Sequence, residues 1–224
     1  MRGHQVGSAV PFSISDILER IVPGTIFLCL MALAFPSTIN ALPTNVSLPG
    51  LWFVFLASAY AVGVVLNNSY NLWRIKGSRD YWHEKDGLPE YKQAIQSAIR
   101  SHFRIDADEK SWAFCYGACT KHGYSPNTQL FQGLTVFCRS MMMAMLFASV
   151  AFLIGMGTEF CLTGTLTLSP LLFAAVSFAL ALAFRSGATA YDHAFVGSIY
   201  EGFYSWYCEA HPGAAQKTNL PGAV

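Results

Sequence analysis

The run LWFVFLASAYAVGVVL, residues 51–66, is apolar throughout except for a serine and a tyrosine. It lies within residues 21–73, a stretch of 53 positions without a single charge. Two further uncharged runs, 140–158 and 160–184, are separated only by Glu159. A helix needs roughly 20 mostly apolar residues to cross a bilayer. The first stretch therefore has room for two membrane spans, and the later pair of runs for two more.

The composition of the whole chain agrees with these runs. Of its 224 residues, 53% are hydrophobic and 12% are charged, against about 25% charged in an ordinary soluble domain. This excludes a soluble globular enzyme, a disordered chain and a coiled coil. We predict an all-α polytopic membrane protein with four transmembrane helices and a small helical cytoplasmic segment between spans 2 and 3. The spans are expected at Ile17 or Ile21 to Phe35, Leu51 to Leu66, Leu134 to Met156 and Leu168 to Phe184.

Lysine and arginine predict the orientation of the spans. Segments 36–50 and 157–167 contain neither residue, whereas all 14 lie within residues 1–20, within 69–139, or from Arg185 onward. Positively charged loops remain on the cytoplasmic side. We therefore expect a multi-pass protein of the inner (plasma) membrane with both termini in the cytoplasm. The alternative for the first span is a signal peptide cleaved after Ala32-Leu33-Ala34, but the flanking Glu19 argues against it.

These features divide the chain into six segments. They are a cytoplasmic N-terminal segment 1–16, a first transmembrane hairpin 17–68, a cytoplasmic helical segment 69–131, a second hairpin 132–187, an aromatic juxtamembrane helix 188–208 and a flexible tail 209–224. The juxtamembrane helix either extends the fourth span or lies flat at the interface.

Local signals place the helices and their ends. Within 69–131, Pro89-Glu90 opens one helix. Asp106 and Glu109 resemble a capping box that opens a second helix, which ends near Lys121. Asn127 or Thr128 caps a third helix, which continues into the membrane. In the second hairpin, Gly155-Met156-Gly157 is expected to end the third span and Ser169-Pro170 to open the fourth.

Three residues of the second cytoplasmic helix could ligate a metal ion. Cys115, Cys119 and His122 follow one another at helical spacing, and His102 or Cys138 could complete a tetrahedral zinc site. The spacing lacks the repeated two-to-four-residue knuckle of a typical zinc site. Buried cysteine more often acts as a small hydrophobic residue. We therefore predict no metal and no cofactor.

No other pattern predicts catalysis. Asp192-His193 with Glu201 has no accompanying nucleophile, and the run Met141 to Met145 is typical of helix packing rather than of Cu(I) binding. The middle segment Asn67 to Phe131 has a net charge of only +2, from 9 basic and 7 acidic residues. We therefore expect no direct nucleic-acid binding. Because no ionisable residue lies mid-span, a secondary transporter is disfavoured as well.

Small residues recur along the spans at intervals of four. This small-xxx-small pattern lets helices approach closely. It serves either packing within the four-helix bundle or a homo-oligomer. The residues are Ala175, Ala179, Ala183 and Gly187 on the fourth span, Ala59 and Gly63 on the second, and Ala151 and Gly155 on the third.

Three stretches give the chain a family likeness. They are Asp16 to Gly24 leading into the first span, Phe137 to Ser140 entering the third, and Phe195 to Tyr204 after the fourth. In this layout the chain resembles small four-span bacterial membrane proteins of defence and mobile-element loci. The resemblance implies a membrane-embedded sensor or effector that works with a cytoplasmic partner in anti-phage defence.

The expected function is that of a non-enzymatic, oligomeric inner-membrane protein that anchors, senses or acts together with a cytoplasmic protein. One alternative is a pore with a hydrophobic gate that perturbs membrane permeability. The other is a membrane-embedded enzyme that uses Cys115, Cys119, His122 or Asp192-His193.

Overall fold

A computed structural model describes residues 17–36, 48–70, 89–107, 111–123, 128–165 and 167–212. Within these ranges the fold is all-α, with no strand. A π-helical turn, Ile17–Ile21, precedes six helices: α1 (Val22–Ala34), α2 (Leu48–Tyr70), α3 (Glu90–Phe103), α4 (Ser111–His122), α5 (Thr128–Thr163) and α6 (Ser169–Ala210).

Four of the described helical segments are long and apolar enough to cross a membrane. They are Ile17–Ala34, Pro49–Tyr70, Leu130–Thr163 and Ser169–Ala210. The prediction of an all-α, four-span membrane protein is therefore confirmed.

The membrane helices extend further than their hydropathy indicates. The glycines of Gly155-Met156-Gly157 do not end α5, because glycine is well tolerated in membrane helices. The helix ends at Thr163 instead, and the next residue, Gly164, has a φ of +69°, the left-handed conformation typical of a helix terminus. Ser169-Pro170 does open α6. Of the two alternatives for segment 188–208, the structure shows the continuous one, since it forms the later part of α6.

The shorter helices begin and end close to the boundaries that the sequence predicts. Pro89 precedes α3, and its carbonyl oxygen accepts hydrogen bonds from the backbone N–H groups of Lys92 and Gln93. Gly123, with a φ of +78°, follows α4. Glu109 and Asn127 lie outside the described residues, so both caps that involve them stay predictions. Asp106 forms an ion pair of 2.8 Å with Arg100.

The chain forms two compact units. Unit 1 comprises residues 1–73 and 136–186, and unit 2 comprises 74–135 and 187–224. Unit 2 thus combines most of the middle segment with the C-terminal part of the chain. The segments 1–16 and 213–224 lie outside the described residues.

In unit 1, the π-helical turn and α1 are in close backbone contact with α2. Gly24 lies against the carbonyl of Ala59, and Gly63 lies against the backbone of Arg20. Neither position has space for a Cβ atom. The Arg20 guanidinium donates a hydrogen bond to the hydroxyl of Tyr60, which gives this cation a polar partner inside an apolar helix pair.

The second hairpin of unit 1 joins α5 to α6. Ser149 Oγ donates a hydrogen bond of 3.0 Å to the carbonyl of Ala174, and the rings of Phe152 and Phe173 stack with centroids 5.4 Å apart. The guanidinium carbon of Arg139 lies 4.7 Å from the centroid of the Tyr70 ring, close enough for a cation–π interaction. The four clustered methionines of α5 are buried, as expected of packing residues: Met141, Met142, Met143 and Met145.

Candidate functional site

The core of unit 2 is built on one face of α6. Its large apolar residues recur every three or four positions, so they form a stripe along one side of the helix. Residues of α3 and α4 pack against this stripe. The buried members are Ile95, Ala98 and Ile99 from α3, Cys115 and Cys119 from α4, and Val196, Ile199, Tyr200, Phe203 and Tyr207 from α6.

Hydrogen bonds fix α3 and α4 against α6. The hydroxyls of Ser111 and Tyr200 lie 2.8 Å apart in the buried core. The Cys119 thiol donates to the carbonyl of Ile199 at 3.3 Å. On the other side, the Tyr207 hydroxyl donates to Ser101 Oγ at 3.1 Å. In the described part of unit 2, these polar groups therefore set the register of α3 and α4 against α6.

The proposed metal ligands do not come together. Cys115 and Cys119 are fully buried in the apolar core, whereas His122 is exposed. Cys138 is buried within unit 1. Burial raises the pKa of the Cys119 thiol to about 11 and raises that of Cys115 still further, with a contribution from the neighbouring Cys119. These thiols are neutral at physiological pH, and no metal-binding group of three side chains occurs in the described parts of the chain.

The residues considered for catalysis are spread along α6. Asp192 and His193 are half-buried, and Glu201 is exposed. Nine residues separate Asp192 from Glu201, which corresponds to about 13 Å along a helix. The structure therefore does not assemble Asp192, His193 and Glu201 into one constellation.

Aromatic and imidazole rings form a continuous surface on unit 2, which we call the aromatic ridge. The Trp206 ring stacks on the ring of His122 at 4.6 Å and meets His102 edge-on at 5.0 Å. The ring centroids of Phe103 and Phe114 lie 5.9 Å apart, and the Phe114 side chain is 54% exposed. The ridge residues are His102, Phe103, Phe114, His122, Trp206 and His211.

The ridge disfavours positive charge on its central histidine. The pKa of His102 is lowered, first by partial burial and then by the nearby His211 and His122. A histidine with a lowered pKa is neutral over more of the physiological range. The centre of the ridge is therefore apolar and aromatic near neutral pH.

Sequence reasoning did not identify the ridge. It identified Cys115 and Cys119 at helical spacing, and the structure buries both. Phe114 on the same helix is exposed, and no periodic pattern singles it out. The ridge is marked by a large exposed aromatic side chain close to several histidines. These residues come together only in the folded structure, so the sequence alone does not show the ridge.

The small-residue stripes fall into two classes. On α2 and α5 they face inward: Ala59 and Ala151 are buried, and Gly155 lies so close to the carbonyl oxygen of Ala34 that an added Cβ would be 2.6 Å away. On α6, the described residues facing the rest of unit 1 are instead Ala174, Ser177 and Ala181. The predicted stripe residues of this helix, Ala175, Ala179 and Ala183, are exposed, and Gly187 is half-buried in unit 2.

No protein-family model, curated protein or solved structure matches this chain. The functional interpretation therefore rests on the residues and their contacts.

Proposed function

We propose that this protein is a non-enzymatic, homo-oligomeric inner-membrane protein that anchors, senses or acts together with a soluble cytoplasmic protein in anti-phage defence. The observation that carries the proposal is the aromatic ridge of unit 2. Large exposed aromatic surfaces rimmed by polar residues are characteristic of protein–protein interaction sites. The role in defence comes from the layout resemblance described above.

The distribution of cations supports a cytoplasmic location for unit 2. Segments 36–50 and 157–167 have no lysine or arginine, whereas the middle and C-terminal segments contain most of those in the chain. Under the positive-inside rule, unit 2 and both termini face the cytoplasm. The ridge is then available to a soluble protein.

Trp206, Phe114 and His122 have the properties of interface anchors. Tryptophan and other rings dominate binding energy at protein interfaces because they bury a large area with few rotatable bonds. The stacking of His122 on Trp206 fixes the tryptophan ring before any partner binds. A preorganised ring loses less conformational entropy on binding.

Replacing Phe114 with serine is expected to weaken partner binding by about tenfold or more, as loss of an interface anchor does. Photocrosslinking from position 121 would measure capture of the partner, and the plating efficiency of phage on expressing cells would measure protection. Tyr91→Ser is the matched control, because Tyr91 is an exposed aromatic residue of unit 2 outside the ridge. Full capture and full protection with Phe114→Ser would contradict the docking role.

The outward stripe of α6 supports the homo-oligomer. Ala175, Ala179 and Ala183 are exposed on one helix face, where a second copy could approach closely. Ala179→Leu is expected to shift the protein to smaller species on detergent chromatography, since the added side chain separates the helix backbones. Ala57→Leu, at an exposed position on α2, should leave the elution unchanged. An unchanged profile for Ala179→Leu would argue against this interface.

A further inference from the structure

Unit 1 contains a cavity of about 430 Å³ at the ends of its membrane helices. Its walls come from the end of α1, the end of α5 and the start of α6. The stacked pair Phe152 and Phe173 contributes apolar surface, together with Leu33 and Phe35. This volume is within the range of sites that hold small organic ligands.

The rim of the cavity is polar and carries one charge. Glu159 and the hydroxyls of Thr158, Thr163 and Thr167 line it. Thr167 Oγ1 donates a hydrogen bond of 2.9 Å to Glu159 Oε2. This bond orients the carboxylate but does not neutralise it.

The segments that flank the cavity in the sequence supply no cation to balance Glu159. The flanking segments 36–50 and 157–167 contain no lysine, arginine or histidine. Within the described residues, no ion pair involves this carboxylate. Glu159 lies near the C-terminal end of α5, an apolar membrane helix. A carboxylate beside an apolar wall is stabilised by an opposite charge from outside the chain.

We propose that this cavity binds an ammonium amphiphile, with the ammonium group at Glu159 and the apolar chain along Phe152 and Phe173. The carboxylate excludes anionic headgroups by repulsion. A bare metal ion is a poor fit because a single carboxylate and separate hydroxyl groups provide too few ligands to coordinate it. The site belongs to unit 1 and does not depend on the docking role proposed for unit 2.

Native mass spectrometry of the full chain, released from maltoside micelles, tests this site. Dodecyltrimethylammonium is the diffusible probe, phosphatidylethanolamine is the lipid probe, and phosphatidylglycerol is the anionic control. We expect one dodecyltrimethylammonium per chain to be retained in preference to phosphatidylglycerol. If phosphatidylethanolamine also competes with dodecyltrimethylammonium for the site, a membrane lipid is a source of the ammonium group. If phosphatidylethanolamine does not compete, the ligand is a diffusible amphiphile.

Glu159→Gln keeps the shape of the side chain and removes its charge. It should lower the affinity for dodecyltrimethylammonium by about tenfold or more, as expected on loss of a charged contact. Glu201→Gln is the matched control, because Glu201 is an exposed glutamate of unit 2. Equal retention by wild type and Glu159→Gln, or equal retention of phosphatidylglycerol, would overturn the proposal.

Discussion

Replacing Gly63 with leucine is expected to prevent the first membrane hairpin from packing, with a loss of stability above about 3 kcal/mol. A side chain at this position would occupy the backbone of Arg20, which cannot move aside as a flexible side chain could. The helices would have to separate, and the hydrogen bond from Arg20 to Tyr60 would be lost with them. We expect aggregation on detergent chromatography and a strongly lowered thermal transition.

Gly157→Leu is the matched control for Gly63→Leu. It makes the same chemical change in another membrane helix, at a position with no atom within 4 Å of the added Cβ. A general cost of replacing glycine in a span would affect both variants equally. A monodisperse Gly63→Leu protein with an unchanged transition would show that the close backbone approach does not hold unit 1 together.

Replacing Phe203 with alanine should destabilise unit 2 by about 3–5 kcal/mol, the usual cost of removing a core phenylalanine. Its ring is fully buried and stacks on Phe103 with centroids 5.2 Å apart. Hydrogen exchange measured by mass spectrometry would report the loss as faster exchange in α3 and α4, by a factor of about 100 or more where exchange follows opening of the unit.

Phe114→Ala separates this core effect from an effect on the ridge. Phe114 belongs to the same unit but is 54% exposed, so its removal leaves the core intact. Exchange in α3 should then change little. Similar protection in Phe203→Ala and wild type would mean that the α6 stripe does not support α3 and α4.

The membrane architecture could be predicted because hydropathy and charge act over whole segments. The opening of α6 at Ser169-Pro170 and of α3 after Pro89 also followed from local backbone chemistry. The end of α5 did not, because glycine interrupts a helix only where the backbone leaves the helical conformation. Gly155 and Gly157 keep that conformation, whereas Gly164 adopts a positive φ.

The surfaces were harder to predict than the spans. Small-residue spacing shows that a helix can approach another closely, but not which face meets a neighbour. The stripe at Ala59 and Gly63 packs within unit 1, while Ala175 and Ala179 remain exposed. The aromatic ridge depends on contacts between residues of α3, α4 and α6. Some of these residues are about 100 positions apart in the chain, such as His102 and Trp206. No local pattern carries that information.

Three of the six cysteines are buried, and three are at least partly exposed. Cys115, Cys119 and Cys138 are buried, whereas Cys29 and Cys161 are exposed and Cys208 is partly exposed. Cys29 lies within the first span, whereas Cys161 lies near the end of α5 and Cys208 near the end of α6. The natural sequence therefore already provides one site for attaching a fluorophore or spin label in each unit, at Cys161 and Cys208. Spectroscopic distance measurements can begin from the unmodified protein, without first rebuilding its core to remove reactive thiols.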